Sequence, residues 1–134
     1  MNHFNPPTMP RPVVDVYAQI SIAPPGRLAF IAGQVAVGLD GQFVGRGDHY
    51  AQAVQCFRNL KGALEGLNAR PSQLVRLTIN VVGHRDELLE PIIAAGHEVF
   101  QDQWPVCASI FLGVQALGHS DWLIEVDGIV ALGN

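Results

Sequence analysis

Two strand-like stretches close this chain, and the second carries carboxylates inside an otherwise apolar run. The first reads Trp104-Pro105-Val106-Cys107-Ala108-Ser109-Ile110-Phe111-Leu112, and the second spans Trp122 to Val130. Gly113, Gly118, His119, Ser120 and Asp121 lie between them as turn residues. Runs rich in Val, Ile, Phe and Trp bounded by such residues read as strands. Side chains alternate faces along a strand. Val106, Ala108, Ile110, Leu112 and Val114 therefore share one face of the first strand, and Cys107, Ser109 and Phe111 the other. On the second, Trp122, Ile124, Val126 and Val130 oppose Leu123, Glu125, Asp127 and Ile129. Pairing as a hairpin would turn each apolar row to the core and gather Cys107, Ser109, Glu125 and Asp127 on the opposite side. Asp is depleted in strands and buried charge is costly, so Glu125 and Asp127 call for a reason.

The rest of the chain supplies layers for that pair. Residues 1–12, with Pro6, Pro7, Pro10 and Pro12, read as an extended lead-in, and residues 13–134 as one domain. Val13–Ile22 alternates as a half-buried strand. Pro24-Pro25-Gly26 is a turn, and Leu28–Val37 a second strand, expected to pair with the first as a hairpin. Gly33 interrupts it, which implies a bulge or the close approach of a backbone or ligand. Residues 48–67 place Tyr50, Ala53, Val54, Phe57, Leu60, Leu64 and Leu67 at helical spacing. Asp48 serves as N-cap, Gln52 falls on the polar side, and Gly62 suggests close packing. Gln73–Val82 is a strand with Val75, Leu77, Ile79 and Val81 on one face and Arg76, Thr78 and Asn80 on the other. Asp86–Gln101 is a second helix with Pro91 in its first turn. The order β-β-α-β-α-β-β implies a two-layer α+β domain, two helices covering one sheet face. The other face, with Tyr17, Thr78, Asn80, Ser109 and Glu125 beside apolar residues, is too mixed for a core and too apolar for solvent. A subunit interface containing clefts accounts for it.

Charge narrows the function. Charged residues are only 15% of the 134, against hydrophobic residues at 49%, so part of the surface is expected to be hidden in an oligomer. A net charge of −4 and eight scattered Lys and Arg argue against nucleic acid as a partner. No apolar run nears a membrane span and no signal segment begins the chain, which places it in the cytoplasm. Cys56 and Cys107 make no disulfide framework and read as small buried hydrophobes. The five histidines lack metal-ligand spacing, so no metal site is expected.

Several strings, in order, resemble the RidA family, also called YjgF or endoribonuclease L-PSP-like. They are Tyr17-Ala18-Gln19, Ala32-Gly33-Gln34, the helix string Ala51-Gln52-Ala53 through Asn59-Leu60-Lys61-Gly62-Ala63-Leu64-Glu65, Val75 and Thr78, Trp104-Pro105, and Ile124-Glu125-Val126-Asp127. The resemblance implies a chorismate-mutase-like fold, a mixed sheet with two helices on one face, assembled as a homotrimer with clefts between subunits. It implies cofactor-free hydrolysis of small imines or enamines, such as 2-aminoacrylate, to a ketoacid and ammonia. Glu125 would direct water as the catalytic residue, and Tyr17 and Gly33 would line the pocket. The arginine that grips the substrate carboxylate in the family is Cys107 here, and the family's nearby cysteine is Ser109. A thiol cannot replace a bidentate guanidinium. The resemblance is therefore to an arginine-lacking branch, with Cys107, Ser109 and Asp127 as further substrate-binding candidates and little activity on 2-aminoacrylate. Restoring arginine at 107 is expected to bring that activity back. A non-catalytic trimer binding a small metabolite is the alternative.

Overall fold

The computed structural model describes residues 2–134. Six strands and two helices follow in the order β1 (Asn2–Phe4), β2 (Ile20–Ile22), β3 (Arg27–Gln34), α1 (His49–Gly66), β4 (Leu74–Val82), α2 (Leu89–Phe100), β5 (Ala108–Val114) and β6 (Ile124–Gly133). Four of them form the main sheet in the order β3-β6-β4-β5. β6 runs antiparallel to both β3 and β4, while β5 is parallel to β4. The sheet is mixed and carries both helices on one face, the α+β architecture expected.

α1 begins where the sequence places it. Asp48 is the N-cap, its carboxylate accepting the Ala51 N–H at 3.0 Å. Phe57, Leu60 and Leu64 of α1 and Ile92, Ala95 and Phe100 of α2 are buried against Leu77, Ile79, Val81, Ile124, Val126 and Val130 of the sheet. Each fully buried large side chain contributes about 1.5–3 kcal/mol, so this layer contact holds the fold. Gln52 is not on the polar side but fully buried. Its amide donates to the carbonyls of Gly45 at 3.1 Å and Asp121 at 3.0 Å and accepts the Leu123 N–H at 2.8 Å. A buried amide persists because it is satisfied, here by pinning α1 to the start of β6. Gly62, by contrast, stands in open space and provides no close packing. Gly96 does so instead: a Cβ there would lie 2.1 Å from the Trp104 ring, so α2 lies flush against that indole.

Both expected hairpins are absent among the described residues. β2 pairs with β1, not β3, so Asn2–Phe4 within the proline-rich lead-in is a strand. His3 fastens it, one ring nitrogen 2.8 Å from Ser21 Oγ. Residues 13–18 are irregular because other groups take their backbone: the Trp104 indole N–H donates to Val16 O at 2.7 Å, and Ala18 N–H to Cys107 O at 3.0 Å. At the other end of the chain, β4 lies between β5 and β6. This reverses the reading of β5. Its register pairs Ser109 with Leu77 and Phe111 with Ile79, so Ser109 and Phe111 join the helix-bearing face. Ile110 and Leu112 point to the bare face and are 37% and 45% exposed.

Candidate functional site

The bare face of the sheet holds one group of candidates. The register places Asn80 opposite Glu125 and Thr78 opposite Asp127, with Ile110 and Leu112 on the next strand. Glu125 lies directly against Gly33 of β3: a Cβ on that glycine would sit 2.5 Å from Oε2 and 2.7 Å from Cδ. The β3–β6 register shifts between Ile31 and Gln34, around this point. The bulge and the missing side chain together make room for the carboxylate, which is the close approach that a strand glycine implies. Asn80 donates through its amide to Glu125 O at 3.3 Å. Burial raises the pKa of Asp127 above the usual carboxylate value, and the Thr78 side chain opposes that shift through a hydrogen bond. Phe30, 73% exposed, extends the same face, since it pairs with Ile129.

The helix-bearing side holds the other group. A cavity of ≈ 480 Å³ lies at the β5 edge, beneath the irregular segment 13–19 and against the start of α2. Tyr17 and Ser109 line it, with Leu77, Ile79, Leu89, Ile93 and Phe111 as apolar walls. Trp104 closes one side, seated against Phe57 and Phe100 with ring centroids 5.5 and 6.2 Å away. The Val13 N–H donates to Tyr17 Oη at 3.3 Å, which helps hold the segment over the cavity. His84 also borders the cavity, its ring 5.0 Å from that of Phe111.

Cys107 belongs to neither opening. It is fully buried in the core, and burial pushes its thiol pKa up to about 11. Ser109 Oγ donates to Cys107 O at 3.0 Å. Cys56 is likewise a buried hydrophobe, its thiol pushed up to about 12 by burial. Both are the small core residues expected of them.

Six candidates thus separate within one chain. Gly33, Glu125 and Asp127 share the bare face; Tyr17 and Ser109 share the cavity behind the sheet; Cys107 is sealed between. Tyr17 and Ser109 do not lie on the mixed face where alternation placed them. The sequence carries no signal for the packing of His84 against Phe111 or of Gly96 against Trp104. A histidine two residues past the end of β4 has no periodic signature, and Gly96 resembles any helical glycine until Trp104 is seen against it. Among the described residues no group of three or more His, Cys, Asp or Glu could hold a metal, and no helix is long and apolar enough to cross a membrane.

Known proteins agree with this architecture. The family described as Endoribonuclease L-PSP matches residues 9–132. The crystal structure of YyfB from Yersinia pestis, a Rid-family protein of unknown function, is 36% identical with a TM-score of 0.85, covering 98% of each chain. The YjgF gene product of E. coli is 21% identical with a TM-score of 0.67, covering 98% of this chain and 99% of that one. E. coli TdcF, solved with bound serine, is 17% identical with a TM-score of 0.67, covering 90% and 91%. The last two show the fold alone. A comparison with curated proteins gives no match. With the family pattern running through nearly the whole chain and a Rid protein superposing over its full length, the chain belongs to the endoribonuclease L-PSP, or Rid/YjgF, family.

Proposed function

We propose that the protein is a cofactor-free hydrolase of small imines, enamines or related metabolites, working in clefts between the subunits of a homotrimer. The observation that carries this reading is the seat of Glu125 against Gly33 on a sheet face that also exposes Phe30, Ile110 and Leu112. Exposed large apolar residues grouped on one face mark an interaction surface. A second copy packed there would set Glu125 and Gly33 of one subunit beside the Tyr17 and Ser109 cavity of the next. The split of the candidates within one chain is then the expected consequence of a shared site. E. coli TdcF, of the same fold, has been solved with bound serine, which supports a small-molecule ligand.

The chemistry needs only water and a carboxylate. Glu125 accepts a proton from water as the water oxygen forms a bond to the imine carbon, and hands that same proton to the nitrogen, where the C=N π pair becomes an N–H bond. The resulting carbinolamine passes its hydroxyl proton through Glu125 to the nitrogen, the C–N bond breaks, and ammonia leaves a carbonyl product. One water is consumed, and Glu125 ends as it began. Position 107, a buried thiol, supplies no carboxylate clamp, so 2-aminoacrylate is a poor substrate. The same burial favours the second reading, a trimer that binds a metabolite without turning it over. Cytoplasmic residence and the lack of a nucleic-acid partner belong to the same proposal, the latter consistent with the net charge of −4.

Short-lived imines generated by an oxidase, with ammonia release followed, test it. The wild type should accelerate release, and Glu125→Gln should lose about 100-fold or more of that acceleration, the typical contribution of a general base. No acceleration, with Glu125→Gln matching wild type, rejects hydrolysis for those substrates. Ligand-dependent melting without turnover would then favour the binding trimer.

A further inference from the structure

We propose that Asn80 is a second substrate-contacting residue, accepting the N–H of the imine that Glu125 hydrolyses, and that the site therefore selects imines whose nitrogen carries a hydrogen. This rests on the hydrolase reading above and names its substrate class. Asn is depleted in strands, yet Asn80 lies within β4, between β5 and β6, with Leu112 and Glu125 as its cross-strand neighbours. It is half-buried on the bare face, where Phe30 and Ile110 are exposed. Directly opposite residues of an antiparallel pair hold their Cβ atoms about 4.5–5.5 Å apart, so one small molecule can reach both side chains.

The orientation of the Asn80 amide is set by its backbone partner. Nδ2 donates to Glu125 O at 3.3 Å, and a carbonyl oxygen only accepts, so the nitrogen is the end that faces the backbone. Oδ1 takes the other direction. It has no partner within the chain and it is not sealed: the one sealed, unpartnered side-chain nitrogen or oxygen among the described residues is His84 Nδ1. Asn80 thus presents an open acceptor on the face that carries the Glu125 carboxylate, itself an acceptor resting against Gly33. Neighbouring acceptors among apolar residues call for a ligand with two donors, since covering the face would otherwise strip both of hydrogen bonds. The carbinolamine has that pattern, with an O–H and an N–H on one carbon. Its O–H donates to Glu125, which carries the proton to nitrogen, and its N–H donates to Asn80 Oδ1. In the imine the same N–H bond leaves the nitrogen lone pair free for the proton from Glu125. No bond to Asn80 forms or breaks. An N-alkyl imine sets a carbon where Oδ1 needs a hydrogen.

Benzylamine and N-methylbenzylamine, oxidised in situ by a flavin amine oxidase, give imines that differ only at nitrogen. Both hydrolyse to benzaldehyde, whose absorbance is followed at mildly alkaline pH, where both imines are neutral. The wild type should accelerate the N–H imine about tenfold more than the N-methyl imine, the scale of one hydrogen bond. Asn80→Leu should slow the N–H imine about tenfold and leave the N-methyl imine unchanged, which abolishes the preference. Glu125→Gln should slow both, because it acts on water. A purely structural role for Asn80 would slow both imines alike, so equal loss in Asn80→Leu overturns the proposal. Loss of the oligomer in that variant also overturns it, by assigning Oδ1 to the contact between copies. Wild-type protein alone gives a further test that needs no variant. Equal acceleration of the two imines leaves hydrolysis standing and sinks the selection. Acceleration of neither rejects hydrolysis for these imines and the selection with it.

Discussion

Gly33→Ala separates folding from chemistry at the proposed site. The new Cβ would lie 2.5 Å from Glu125 Oε2, 2.7 Å from Cδ and 3.0 Å from Cγ, and no backbone atom is among these nearest neighbours. Ordinary contact requires the carboxylate to retreat by roughly 1 Å, a displacement that costs on the order of 100-fold when it moves a catalytic group. The fold has little to lose. Gly33 does not adopt the positive φ that an alanine resists, and the carboxylate is the flexible end of a long side chain. Replacing a compatible glycine removes freedom from the unfolded chain, worth about 0.4–1 kcal/mol of stability, which offsets a mild steric cost. The expected variant therefore melts within a few degrees of wild type and hydrolyses short-lived imines about 100-fold more slowly. Thermal melts beside ammonia release measure both. Full activity would refute the claim that the Glu125 position matters. A large drop in melting temperature would refute the claim that the glycine serves the site rather than the fold.

Three further outcomes follow from packing and charge. Gly96→Ala drives a methyl into the Trp104 ring, 2.1 Å from its nearest carbon, and should cost about 1–2 kcal/mol after the helix-propensity gain, read as a lower melting temperature. Cys107→Arg, expected from the sequence to restore activity on 2-aminoacrylate, forces a guanidinium into a fully buried site. It should destabilise by about 4 kcal/mol or more, and a wild-type melting temperature would show that the side chain escapes the core. Asp127 is an acid with a raised folded-state pKa, so the folded protein holds the proton more tightly than the unfolded chain. Its contribution therefore favours folding at low pH and is lost as pH rises from the unfolded value through the folded one. Asp127→Asn should remove that slope, and a stability–pH profile unchanged by the substitution would contradict it.

Much of the architecture was legible along the chain. The three-and-four spacing from Tyr50 to Leu67 and the Asp48 cap anticipate α1, and Leu77-Ile79-Val81 and Ile124-Val126-Val130 name the buried rows of β4 and β6. Those signals are local: a helix turn or a strand pleat repeats within a few residues, so a one-dimensional pattern records it. The string Ile124-Glu125-Val126-Asp127 and the isolated Gly33 likewise marked residues that prove to touch or adjoin one another. Strand pairing is not local. Nothing between Phe111 and Trp122 reports that β4, some thirty residues earlier, lies between the two closing strands. Alternation puts the wrong side of β5 against the helices, because its more apolar row, with Ile110 and Leu112, is the one that faces outward. The parallel register with β4 decides it, turning Ser109 and Phe111 inward and Ile110 and Leu112 out. The pleat of each element is written in its own residues. The cavity at Tyr17, the sealed thiol at Cys107 and the carboxylate resting on Gly33 exist only once distant segments are packed together, since each is made of atoms from elements far apart in the chain.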